Sequence, residues 1–85
     1  MARPGWWDWE LAFTSHVEVR MEERGFSELE LRSMLESPTS VEPSRRQGRW
    51  VVSVKLRGRN WTVVVEPDAD EHLLYVVTAF PRGDR

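Results

Sequence analysis

Thr14-Ser15-His16-Val17-Glu18-Val19-Arg20-Met21-Glu22-Glu23-Arg24-Gly25-Phe26-Ser27 holds a helix start, a helix stop and a second helix start. Ser15 and Glu18 have capping-box spacing, in which each side chain satisfies an orphan backbone N–H. Gly25 stands where a helix leaves through a left-handed residue. At about 100° per residue, His16, Arg20 and Arg24 climb one edge at i, i+4 steps. Val17 and Met21 run beside them, so this polar row lies on the border of a buried stripe. A helix is expected from about His16 to Arg24. A second follows at once, because Ser27 and Glu30 repeat the capping box and Phe26 with Leu31 has staple spacing. Leu31, Met34 and Leu35 form its apolar face, and Pro38 ends it near Ser37.

Two helices joined by so short a corner need a larger surface to pack on, and the rest of the chain reads as a sheet. Thr39–Glu42 is a weak strand between prolines. Arg49–Leu56 alternates, with Trp50, Val52, Val54 and Leu56 on one face. Arg57-Gly58-Arg59-Asn60 is expected to turn with Gly58 at the first central position of a type II′ hairpin. Strand Trp61–Glu66 then pairs Leu56 with Trp61, Val54 with Val63 and Val52 with Val65. This face is expected against Val17, Met21, Leu31, Met34 and Leu35, with Ser53, Lys55, Arg57, Asn60 and Thr62 opposite. His72–Phe80 is the last strand; Leu73–Val77 shows no clean alternation and reads as central and buried on both faces. Leu11-Ala12-Phe13 reads as a short strand leading into the first helix. The fold class is α+β, with two N-terminal helices on a four-stranded antiparallel sheet.

Residues 1–13 form a tryptophan-rich arm and 14–82 a single domain. Trp6, Trp7 and Trp9 are too dense to be left in water, so the arm is expected to fold back over a sheet face or edge, or to dock on a second copy as a homodimer. The 85 residues include no cysteine, which removes disulfides, thiolate nucleophiles and cysteine metal sites, and fits a cytoplasmic location. No apolar run approaches the ~20 residues of a membrane span. The net charge of -2 hides segregation: Arg45, Arg46, Arg49, Lys55, Arg57 and Arg59 fall between Ser44 and Asn60 with no acid among them. That window reads either as solvated strand ends or as a nucleic-acid surface.

The order of helix, helix and antiparallel sheet resembles the RelE/ParE-like toxins, small α+β ribonucleases of bacterial toxin–antitoxin systems. Phe13-Thr14-Ser15-His16, Arg20-Met21 and Arg24-Gly25-Phe26-Ser27 look like the opening of a widespread bacterial domain related to BrnT-type toxins, whose motif is His, three residues, Arg-Met, two residues, Arg-Gly. Val76-Val77-Thr78-Ala79-Phe80 resembles that family's terminal strand. The resemblance covers about Phe13 to Arg82 and implies an RNA-cleaving role with an antitoxin protein as partner. Residues 1–10 have no counterpart in it.

Metal-free RNA cleavage needs a base, a leaving-group acid and cations at the phosphorane. His16 fits the base or acid, and Arg20 fits a phosphate clamp. Arg57 and Thr78 join that pocket if Asn60 pairs with Thr78; the other register of the last hairpin turns Thr78 away. Arg24, Arg45, Arg46, Arg49, Lys55 and Arg59 are the RNA-contacting set, with Arg24 at the cleft margin or bracing the helix corner. The plainer account is equally explicit: His16 as a local first-turn residue, and Arg20 with Glu23 and Arg24 with Glu28 as surface ion pairs. No cofactor or metal is implied; Asp68 and Asp70 lack the glycine and glutamate spacing of a calcium loop. The rival function is a non-catalytic protein-interaction module on the same fold.

Overall fold

Helix α1 (Ser15–Arg24) starts one residue earlier than its sequence signal, because Thr14 and not Ser15 is the N-cap. The Thr14 hydroxyl accepts the Val17 N–H at 3.1 Å. It also lies within reach of the Val76 and Val77 carbonyls, which fasten the helix start to the sheet. Gly25 closes the helix at φ 72°, in the left-handed region. Helix α2 (Glu28–Glu36) carries the expected capping box between Ser27 and Glu30 and ends at Ser37. Its staple residues, Phe26 and Leu31, both enter the core.

The computed structural model describes residues 5–81. Around the helices it places β1 (Glu10–Phe13), β2 (Ser40–Pro43), β3 (Trp50–Leu56), β4 (Arg59–Asp68) and β5 (Leu73–Pro81). The class is α+β as expected, but the sheet has five strands and is mixed, in the order β1-β5-β4-β3-β2. The added strand is β1, which pairs parallel with β5 from Glu10↔Leu73 to Phe13↔Val76. Four residues are too few to display alternation, and a parallel pair has no hairpin turn to announce it.

Both helices lie on one face of the sheet, α1 over β5 and α2 over β3. The expected apolar face is the core: Val52, Val54, Val63 and Val65 are at most 1% exposed, beneath Val17, Leu31 and Met34. Phe26 meets Trp61 edge-on, with ring centroids 5.1 Å apart. Trp50 and Leu56 sit at its rim, half-buried.

The β3–β4 register corrects the sequence reading by two residues. Leu56 pairs with Arg59, Val54 with Trp61 and Val52 with Val63. The central turn residues are Arg57 at φ 53° and Gly58 at φ 77°. Positive φ at both positions defines type I′, whose twist matches the flanking strands. A slip of two keeps every side chain on its face, so the core survives the correction. No atom lies within 4 Å of a Cβ built on Gly58. Gly58→Ala is therefore expected to cost about 1–2 kcal/mol through left-handed backbone strain alone, read as a lower urea midpoint with an unchanged m-value.

Strand β5 explains its own weak alternation. Val64 pairs with Thr78 and Val65 with Val76, so Val77 is an extra residue in a bulge. Leu74, Val76 and Ala79 are buried on the helix side. By register, Tyr75, Thr78 and Phe80 share the opposite face with Glu66, Val64 and Thr62. The strand is interior to the sheet, yet not covered on both faces as its sequence suggests.

Candidate functional site

The structure keeps His16 and Arg20 together and separates the other two members of the expected catalytic group. His16 is exposed on the first turn of α1. Arg20 follows one turn later and pairs with Glu23 at 3.2 Å, an exposed i,i+3 contact of little energetic weight. Arg24 is no surface ion pair: its Nη1 donates to the Ala79 carbonyl at 2.9 Å and braces the helix corner against β5. Glu28, expected beside Arg24, instead pairs with Arg32.

Arg57 lies elsewhere. Its guanidinium pairs with Glu30, whose other carboxylate oxygen accepts the Ser27 N–H. The hairpin turn is thereby tied to the start of α2. The Thr14 hydroxyl holds the start of α1 near Val76, which is level with Val65 and hence with Trp50 at the beginning of β3. Arg57 stands past the other end of β3, roughly 20 Å along the strand direction. Thr78 pairs with Val64, not Asn60, and faces away from both helices. His16, Arg20, Arg57 and Thr78 therefore do not converge on one cleft.

The basic window divides in a similar way. Arg45 and Arg46 are exposed on the loop before β3. Arg49 Nε donates to Glu66 at 2.8 Å, a cross-strand pair. Lys55 and Arg59 are exposed at the far end of the hairpin. Between the two ends lies the sheet face that carries no helix, with Ser53, Thr62, Val64, Tyr75, Thr78 and Phe80 in register. Phe80 is 39% exposed.

A concavity lies on the helix side. The two helices are short: α2 spans about 13 Å, against about 33 Å for β4. They leave the Trp50 end of the sheet bare, and the tryptophan segment covers it. Trp6 packs on Trp50 at 5.6 Å and on Trp7 at 5.5 Å, and Trp9 stacks on His72 at 4.2 Å. This fold-back of the arm was expected from its aromatic density. Beneath it is a cavity of about 340 Å³ with Val52, Val65 and Leu74 as floor. The end of α2 forms one wall through Arg32, Leu35 and Glu36, and Asp8 stands among the roof tryptophans. Asp8, Arg32 and Glu36 carried no sequence signal as site residues. Only the tryptophan cluster pointed there, because the cavity depends on how far each helix reaches over the sheet.

The architecture thus defines a small α+β domain, with two helices on one face of a mixed five-stranded sheet and no helix on the other. The chain belongs to the family described as Domain of unknown function (DUF4258), whose profile matches residues 13–81. No curated protein and no solved structure gives a significant match. The matched span begins at Phe13, so the tryptophan roof lies outside it. Among the described residues no helix is long and apolar enough to cross a membrane.

Proposed function

We propose that this domain binds single-stranded RNA across the open face of its sheet, in the cytoplasm, as a RelE/BrnT-like toxin domain would engage its target. The observation that carries this reading is the half-exposed Phe80 on a helix-free sheet face, in register with Tyr75, Thr78 and Thr62 and with Lys55 near one end. Aromatic side chains on an open sheet stack bases, and flanking cations hold the backbone. Arg45 and Arg46 supply that charge at one end of β3, and Lys55 at the other; Arg59, paired with Leu56, falls on the helix side. Arg49 is engaged by Glu66 at the Trp50 end of this face, where it neutralises one acid, while Glu42 and Glu10 stand on the two edge strands of the same face.

Fluorescence anisotropy with a short unstructured RNA tests the proposal. Affinity should fall as salt rises, because bound phosphates release counterions. Phe80→Ala should weaken binding about tenfold, as loss of one stacking platform does. Absence of RNA binding at low ionic strength, or full affinity in Phe80→Ala, overturns it.

Cleavage is the second reading, and His16 with Arg20 on one open helix edge favours it. In that case an antitoxin protein is the natural partner, and expression of the domain alone arrests growth. His16→Ala should then abolish cleavage while moving stability by no more than about 0.5–1 kcal/mol, since the residue is exposed. Cleavage that persists in His16→Ala removes the histidine mechanism and leaves binding alone.

A further inference from the structure

We infer that the cavity under the tryptophan segment is a binding site for an alkylated ammonium cation. Three independent features of the cavity agree on a cation. Its roof is aromatic: Trp6, Trp7 and Trp9 all line it and all are only half-buried. Indole faces carry negative electrostatic potential and attract cations, above all quaternary ammonium groups that shed water easily. Among the described residues that line it, Asp8 brings an exposed carboxylate to the roof, and the Arg32 guanidinium is claimed by Glu28 at 2.8 Å. Finally, Leu35 and Glu36 bring the C-terminal end of α2 to the wall, and the last turn of that helix contains no basic residue. A helix C-terminus carries partial negative charge that a cation offsets.

Size and shape fit the same ligand class. A volume of about 340 Å³ admits a small organic cation. The apolar floor of Val52, Val65 and Leu74 gives methyl groups a surface that a hydrated metal ion cannot use. An anion would have to approach Asp8 and a helix C-terminus to reach an arginine that is already paired. The site lies on the helix side of the sheet, opposite the face assigned to RNA, so the two readings stand or fall separately.

The alkylammonium group has two sources, a free solute or a methylated lysine side chain, and the experiment separates them. The full chain is titrated with tetramethylammonium and choline, with tryptophan emission and calorimetry as readouts and sodium chloride at matched ionic strength as control. A second arm uses a short peptide carrying trimethyl-lysine and the same peptide unmethylated. Saturable binding of the free cations, or of the trimethylated peptide in preference to the unmethylated one, supports the proposal and names the source. Asp8→Asn should weaken that binding about tenfold, equivalent to about 1.4 kcal/mol, with an unchanged melting transition. Should Asp8→Asn fail to fold, Asp8→Ser takes its place. The proposal is overturned if no alkylammonium probe saturates the folded protein, if benzoate binds more tightly than choline, or if the folded carboxylate variant binds as the parent does.

Discussion

Val54→Asp should destabilise the domain by on the order of 3 kcal/mol or more, read as a large fall in the urea midpoint. Val54 is 1% exposed, on the helix side of β3, and pairs with Trp61, which packs edge-on against Phe26. A carboxylate there loses the burial of the valine and is stranded without a partner. The nearest hairpin cation, Arg57, is already held by Glu30. Burying an unpaired charge adds a desolvation cost, and together the losses come to on the order of 3 kcal/mol or more. A chain of 85 residues has a total stability of about 4 to 13 kcal/mol. The change therefore removes a quarter or more of what holds the fold. Lys55→Asp, one residue on and exposed on the other face, should shift the urea midpoint only slightly. Equal damage from both substitutions would mean that the assignment of faces is wrong.

The face assignment was legible because it depends on a period of two. Trp50, Val52 and Val54 alternate with Val51, Ser53 and Lys55, and the helix residues Val17, Met21, Leu31, Met34 and Leu35 mark a single complementary stripe. Pairing errors of two residues leave that parity intact. The hairpin register differs from the expected one because Gly58 alone suggests the turn type. Arg57 at φ 53° is an uncommon occupant of a left-handed position, and the sequence gives no sign of it. The Val77 bulge hid the alternation of β5 by shifting its phase between Val76 and Thr78. Strand β1 carries no local sign of sheet membership, because its ladder runs to the far end of the chain.

The candidate site was legible in its parts and not in their arrangement. His16, Arg20 and Arg24 share a helix edge, as their spacing requires, yet each meets a different environment. Arg24 turns inward to a β5 carbonyl, Arg20 finds a neighbour in Glu23, and His16 faces outward. Those outcomes depend on where α1 rests on the sheet, which Thr14 fixes through contacts with residues more than sixty positions away. Thr78 lies on the helix-free face in either register, because Asn60 and Val64 share that face; the observed pairing with Val64 moves it four residues along β4 from its expected place.

The triple charge reversal Arg45→Glu, Arg46→Glu, Lys55→Glu should weaken RNA binding at least about a hundredfold at low salt while leaving the fold intact. All three side chains are exposed, so their combined effect on stability should stay near 1 kcal/mol. Each phosphate contact on a single strand contributes about 0.7 to the slope of log affinity against log salt. Loss of three should flatten that slope by about 2. The slope separates a phosphate-tracking surface from a single sticky patch, because a mutation that merely disturbed the aromatic platform would lower affinity at unchanged slope. Arg57→Ala is the matched control: its guanidinium serves Glu30, and its removal should alter the helix–hairpin tie more than RNA affinity. If the triple variant binds RNA with the parent's affinity and slope, the open face is not the RNA surface, whatever else the domain does. If instead Arg57→Ala alone reproduces the full loss, the phosphates follow the hairpin turn and not the length of β3, and the path drawn across Lys55 and Phe80 is wrong.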